Sequence, residues 1–334
     1  RLRRGSARLN ATTNVGNWLT FGVNTQFSRT FQYGLGSGTG NAASGIPLGP
    51  LLYFPNVPVR DGSGNFYLGQ GGNTFGMGII PNPVAVLLAN FDNREDYTYI
   101  GSFYGEAQII KGLKFKSQYN TDVQSSFTNQ FWSPDVGDGS GLNGVAQDVN
   151  TQRKIWSWYN TLTYNTKIAG VHDINALGGF EYTRETGFGQ YAYGIGLNDP
   201  SLPILTETNY STTGTDNFSI AEDGLASYFG SVNYGYKNKY LASFNFRADA
   251  SSRFGKDHQF GYFPAGSVAW RLSQENFMRN IKTVSDAKLR ASYGILGNNN
   301  IGDFSYNSVY GPVQYADIPA FALGNPGNSD LRWE

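Results

Sequence analysis

Cysteine is absent from the 334 residues. A disulfide framework, a thiolate metal site and a cysteine nucleophile are therefore excluded, while the compartment stays open. Charge is scarce as well, since Asp, Glu, Lys and Arg make up 15% of the chain against about a quarter in ordinary proteins. The 25 basic and 25 acidic residues cancel, so no basic excess exists to neutralise nucleic-acid phosphates. Long apolar runs are missing too. The longest, about the length of Val84–Phe91, falls well short of the ~20 residues of a transmembrane helix. No basic-then-apolar secretory signal precedes Arg1. The only histidines, His172 and His258, have no His-x-x-x-His or cysteine partner, so a zinc site is not indicated. Neither a Gly-x-Ser-x-Gly elbow nor a Gly-x-x-x-x-Gly-Lys-Ser/Thr loop occurs. The expectation is a non-enzymatic chain without a cofactor. It opens on Arg-Leu-Arg-Arg and stops at Leu331-Arg332-Trp333-Glu334, which reads as a piece of a longer protein.

What is abundant is glycine, with 43 residues, and aromatic side chains at 15%. Apolar residues recur with period two rather than 3.6, the mark of strands with two unlike faces. Tyr240, Ala242, Phe244, Phe246 and Ala248 alternate with Ser243, Asn245, Arg247 and Asp249. Tyr228, Val232, Tyr234 and Tyr236 oppose Ser227, Ser231 and Asn233, and Leu19, Phe21, Val23, Phe27 and Phe31 oppose Thr20, Asn24, Gln26, Ser28 and Thr30. The pattern predicts ten strands at about 4–15, 18–32, 97–111, 113–131, 151–166, 171–190, 223–237, 239–253, 261–273 and 286–296. Tight turns at 14–17, 111–112, 168–170 and 237–239 alternate with long excursions at roughly 33–96, 132–150, 191–222, 254–260 and 297 onward. The connector 274–285 falls on the short-turn side, with room for one helical turn around Glu275–Arg279. Short turns on one side, long loops on the other and apolar faces rich in rings describe an antiparallel up-and-down transmembrane β-barrel. Ten strands would be part of a larger closed ring.

Several segments resemble the SusC/RagA family of TonB-dependent outer-membrane nutrient transporters. Lys239-Tyr240-Leu241 with Arg247-Ala248-Asp249-Ala250-Ser251-Ser252-Arg253-Phe254-Gly255 is similar to the family's "KYL…R.DGSSRFG" stretch, with Ala250 where glycine is commoner. Gly261–Phe277, Leu289–Gly294 with Gly297-Asn298, and Gly327–Glu334 match further family elements in order, the last resembling "GN..LKWE". Asn82-Pro83 and Ile110–Phe115 fit the "NP" and "I.GL.F" positions. The resemblance implies a 22-stranded barrel in the outer membrane of a Gram-negative, Bacteroidetes-type cell. It also implies an N-terminal plug, a TonB-contacting segment and a SusD-like surface lipoprotein over the extracellular mouth. Residues 1–334 would then be barrel throughout, with plug, TonB segment and last strands outside the chain. The implied activity is import of oligomeric nutrients, oligosaccharides ahead of peptides.

Candidate site residues fall into two groups. Asn245, Arg247, Asp249 and Arg253 would face the lumen, either touching plug or substrate or merely forming an ion network that positions wall and plug; the network is the favoured reading. Loop aromatics Tyr53, Phe54, Phe66, Tyr67, Phe75, Phe131, Trp132, Tyr191 and Tyr193 could stack on sugar rings, with Tyr53, Phe54, Tyr67, Trp132, Tyr191 and Tyr193 the chosen set. Packing between loops, or an interfacial girdle, is the favoured reading. Trp18, Trp156, Trp158 and Trp270 suit girdle or wall positions. Alternating Gly34, Gly36, Gly38 and Gly40 suggest a flexible loop rather than a phosphate cradle, and Asp61, Asp135 and Asp138 suggest turns rather than a calcium loop. Two rivals remain: a non-transporting outer-membrane scaffold or adhesin, and a secreted β-protein that binds polysaccharide.

Overall fold

The computed structural model describes residues 1–34, 48–67, 81–214, 222–278, 281, 283–315 and 318–334. Its strands are β1 (Leu2–Val15), β2 (Leu19–Gln32), β3 (Phe91–Ile110), β4 (Leu113–Trp132), β5 (Val145–Ile168) and β6 (His172–Leu197), followed by β7 (Thr208–Gly214), β8 (Glu222–Tyr236), β9 (Tyr240–Ser251), β10 (Phe260–Arg271), β11 (Lys288–Gly294), β12 (Val309–Tyr315) and β13 (Ile318–Asn325). Two short helices, α1 (Leu48–Leu52) and α2 (Pro83–Ala89), lie in the first long connection. Ten strands pair antiparallel in the order β1-β2-β3-β4-β5-β6-β8-β9-β10-β11, an open sheet whose neighbours in sequence are neighbours in space. β7 folds back on the far end of β6, and β12 pairs only with β13. The meander and its ten wall strands are those the alternation predicts. Lys237 and Asn238 both take positive φ, as the tight β8–β9 hairpin requires.

Register sorts the side chains cleanly. Val232 lies opposite Ala176 and Phe244, and Val268 opposite Ala242 and Ala291, so one face is apolar from strand to strand. Among the described residues that face is left uncovered: Val232 is 46% exposed, Phe244 56% and Val268 61%. The other face carries uncharged polar rows such as Asn10–Asn24–Ser102–Asn120–Ser157–Thr183 and Asn165–Asn175–Asn233–Ser243–Ser267. Cavities of about 630 and 760 Å³ open on this polar side, the concave side of a wall that closes into a barrel. Polar inside and bare apolar outside is the inversion expected of a wall immersed in lipid.

Rings mark the edges of the apolar band. Near the short turns, Tyr234, His172, Tyr236, Tyr240, Trp270 and Phe277 form a continuous chain of contacts with centroids 5.1–6.5 Å apart. Toward the long loops an upper row includes Tyr119–Trp156–Tyr182, Phe180–Tyr228 and Phe246–Tyr262, and Phe27–Tyr97–Phe127 lie further out on β2–β4, with Phe127 eight positions beyond Tyr119 on β4. From Trp156 to Tyr164, His172 to Phe180, Tyr228 to Tyr236 and Tyr262 to Trp270 the separation is about nine residues, matching the ~9–11 that a tilted strand needs to cross the hydrocarbon. Trp156 and Trp158 thus belong to the upper row from within β5.

The strands continue past the upper row. β3 starts at Phe91, β5 at Val145, and β6 runs to Leu197, so the loops are shorter than the sequence predicts by about six residues each. Backbone pairing persists there while the apolar alternation stops, because no lipid meets those residues. The connector after β10 holds two 3₁₀ turns, Leu272–Gln274 and Asn276–Met278, instead of one helical turn. Gly36, Gly38, Gly40, Phe75 and Arg279 lie outside the described residues.

Candidate functional site

Arg247 and Asp249 sit on the polar face of β9 at the height of the upper ring row. The Arg247 guanidinium contacts Glu181 at 3.2 Å and Asp249 at 2.7 Å, and donates to Ser227 Oγ at 2.8 Å. Glu181, Ser227 and Asp249 are direct neighbours across β6, β8 and β9. Just beyond the end of β9, Arg253 reaches Asp223 and Asp303, each at 3.0 Å. Each guanidinium already has two carboxylates. Neither offers a free cation to an anionic ligand, so both are bound into the wall and its apical loops. Asn245, on the same face, is exposed to the concave space.

The motif residues converge on one place. Phe254 is almost wholly buried and packs on Trp333, which also meets Phe263 edge-on at 5.1 Å and donates its indole N–H to the Gln259 carbonyl at 2.8 Å. A Cβ at Gly261 or Gly297 would collide with Phe263 and Trp333. Asn298 and Glu334 exchange both backbone hydrogen bonds. The segments around Arg253, Gly261, Gly297 and Trp333 thus close one apical knot at the lumenal rim. Nothing in their spacing along the chain signals this, because the contact is between loops some 75 residues apart.

The aromatic candidates separate into two sets. Trp132 is the last residue of β4, and Tyr191 and Tyr193 are inside β6, so these three belong to the wall rather than to loops. Register places Trp132 beside Val145 and Ile195, Tyr193 beside Gln147 and Gln130, and Tyr191 beside Val149 and Thr128, all on the polar face above the upper row. Three aromatic side chains and two amides, Gln130 and Gln147, are therefore held on neighbouring rows by the ladder. Tyr53, Phe54 and Tyr67 are on the first long connection, apart from that patch. Burial pushes the Tyr53 phenol above its ordinary range, and Phe54 is exposed.

That connection is held by packing. Asn82 caps α2 by accepting from the Val84 and Ala85 N–H groups at 3.0 and 3.3 Å, and donates to the Val59 carbonyl at 2.8 Å. Ala85 and Val86 pack on Val136 of the next loop, with Phe66 alongside. Asp61 accepts N–H bonds from Ser63 and Asn65, both 2.9 Å, as a turn residue does. Among the described residues no group of three His, Cys, Asp or Glu is placed to hold a metal.

An open antiparallel wall with a polar concave face, a bare apolar band and two ring rows defines part of an outer-membrane-type barrel. No protein-family model matches the chain. It is 31% identical over 98% of its length to a TonB-dependent receptor of Formosa agariphila, of which it covers 33%. A second receptor of that organism is 29% identical over 89% of the chain, and the TonB-dependent receptor SusC of Bacteroides thetaiotaomicron 30% over 76%, with 26% of SusC covered. The chain thus spans a third or less of these curated relatives. The RagAB peptide transporter superposes with a TM-score of 0.80 at 23% identity, over 99% of this chain and 37% of that one, a likeness of fold. The chain belongs to the SusC/RagA-like TonB-dependent receptors and forms part of their barrel.

Proposed function

We propose that this wall belongs to an outer-membrane transporter that imports oligomeric nutrients, oligosaccharides ahead of peptides, under TonB drive. One observation carries the reading: Trp132, Tyr191 and Tyr193 stand with Gln130 and Gln147 on the lumenal face, with Tyr191 ten residues further along β6 than the Glu181 that pairs with Arg247. Ring faces stack on the C–H surfaces of sugars, and amides both donate to and accept from hydroxyls. Residues 1–334 would be barrel throughout, with a plug and a TonB-contacting segment supplied by the rest of the protein. A SusD-like lipoprotein would close the mouth. Ligand held between loops and plug would favour the conformation that exposes the TonB segment. Asn245 would contribute to the lumenal surface past which the ligand moves, and Tyr53, Phe54 and Tyr67 to the mouth. The relatives are named receptors, and none is named an enzyme.

Trp132→Ala in the full-length protein is expected to weaken oligosaccharide binding about tenfold, the ~1.4 kcal/mol of one buried ring contact, with heat-stable barrel mobility unchanged. Unchanged affinity would overturn the site. Loss of heat-stable mobility would show a structural role instead. A peptide cargo is favoured by the opposite charges of Arg94–Asp96 and Arg153–Glu185, which line the upper cavity, and by the cargo named for the RagAB neighbour. Deleting the gene and comparing growth on oligosaccharides with growth on peptides separates the two. Unchanged growth on both would leave a scaffold or adhesin.

A further inference from the structure

The outward face above the upper ring row is not uniform. Over β2–β6 it forms a groove of about 480 Å³. Register sets Asn93, Asn129 and Asp148 side by side in one row, and Phe127, Asn150 and Gln190 in the row below. Asn129 donates to Asp148 at 2.6 Å. Phe31 and Tyr33 stack at 5.9 Å along one margin. Arg29, one row beneath, pairs with Glu95, which stands in the row of Phe127 and Asn150, and lies over the rings of Phe31 and Tyr97 at 4.0 and 5.2 Å. Tyr97 stands level with Arg29, Phe27 comes next below, and then the apolar band.

Going outward from the membrane, this surface is therefore apolar, then aromatic with the Arg29–Glu95 pair among the rings, then rich in amides. An amphiphile with hydrocarbon chains and an oligosaccharide head has the same order. We propose that the groove holds the sugar headgroup of an outer-leaflet glycolipid whose chains lie on the band below. The amides meet sugar hydroxyls as donors and acceptors, and the Phe31–Tyr33 pair offers a flat apolar wall. The inference rests on the long-loop end facing outward from the cell. It is independent of the transported cargo, which would be met on the opposite, concave face.

The test uses the full-length receptor in detergent, titrated with rough-type lipopolysaccharide and read by native mass spectrometry. Phosphatidylethanolamine and the delipidated core oligosaccharide serve as parallel probes. The double variant Asn129→Leu/Asn150→Leu is expected to lose about tenfold in lipopolysaccharide affinity, as for two lost hydrogen bonds. Its phosphatidylethanolamine binding and its import should stay unchanged. Equal lipopolysaccharide binding by wild type and variant would overturn the proposal, and so would delipidated oligosaccharide binding as tightly as the glycolipid. Should the double variant lose heat-stable mobility, Asn93→Ala/Gln190→Ala is read against the same outcomes.

Discussion

Below the upper ring row and above it, the same strands are stabilised by different means. In the band between the rows, large side chains such as Phe244 and Val268 are more than half exposed and pack on almost nothing within the chain. Backbone pairing holds the wall there, and lipid accepts the side chains. Above the row, Phe254, Val136 and Leu197 are nearly fully buried, and loop meets loop as in a small water-soluble core. The band decides where the protein sits, whereas the apical packing decides what shape the mouth has.

Two substitutions test that division. Phe254→Ala should cost about 3–5 kcal/mol of local stability, since it empties the centre of the knot. Protease cleavage between about 252 and 260 should rise sharply while heat-stable barrel mobility survives. A barrel that failed to assemble would show that the knot supports the wall as well. Val232→Arg, midway between Tyr228 and Tyr236, should cost about 2–4 kcal/mol, against about 0–1 for Thr186→Arg on the outward face above the band. Urea unfolding in vesicles measures both. Equal costs would mean that the band is not in hydrocarbon.

The same division governs what could be read from the sequence. Every strand of the wall was legible where it meets lipid, because alternation such as Tyr228–Val232–Tyr234–Tyr236 is imposed by the solvent. The extensions were not: Phe91–Asp96 and Val145–Asn150 pair as strands yet show no apolar face. β7 and the β12–β13 hairpin were missed for the same reason, since pairing with β6 or with each other leaves no periodic burial. Arg247 and Arg253 pair with carboxylates of neighbouring strands and apical loops, Glu181, Asp223 and Asp303 among them, partners that no spacing along the chain announces. Tyr191 and Tyr193 read as loop residues because a run of Tyr, Gly and Ala has no face. The meeting of Trp333 with Phe254 depends on tertiary closure and leaves no local trace.

The smallest expected effect lies at the opposite edge of the band. Glu275, in the connector after β10, accepts from Lys239 Nζ at 3.0 Å, Tyr240 OH at 2.9 Å and Trp270 Nε1 at 3.2 Å. These donors hold its carboxyl below the ordinary carboxylate range, the Lys239 bond most strongly. A depressed folded-state value means that the contribution is present above the unfolded value, about 4.3, and is lost as pH falls through the lower folded value. The fluorescence of Trp270 should therefore change reversibly below about pH 4.3, as the carboxylate lets go of the indole. In Glu275→Gln that transition should vanish, because an amide keeps an acceptor oxygen but cannot titrate. The site lies in the connector outside the strands, so the barrel itself should stay assembled throughout. A pH transition that persisted in Glu275→Gln would assign it to another carboxylate and would leave the lower ring row anchored by ring contacts alone.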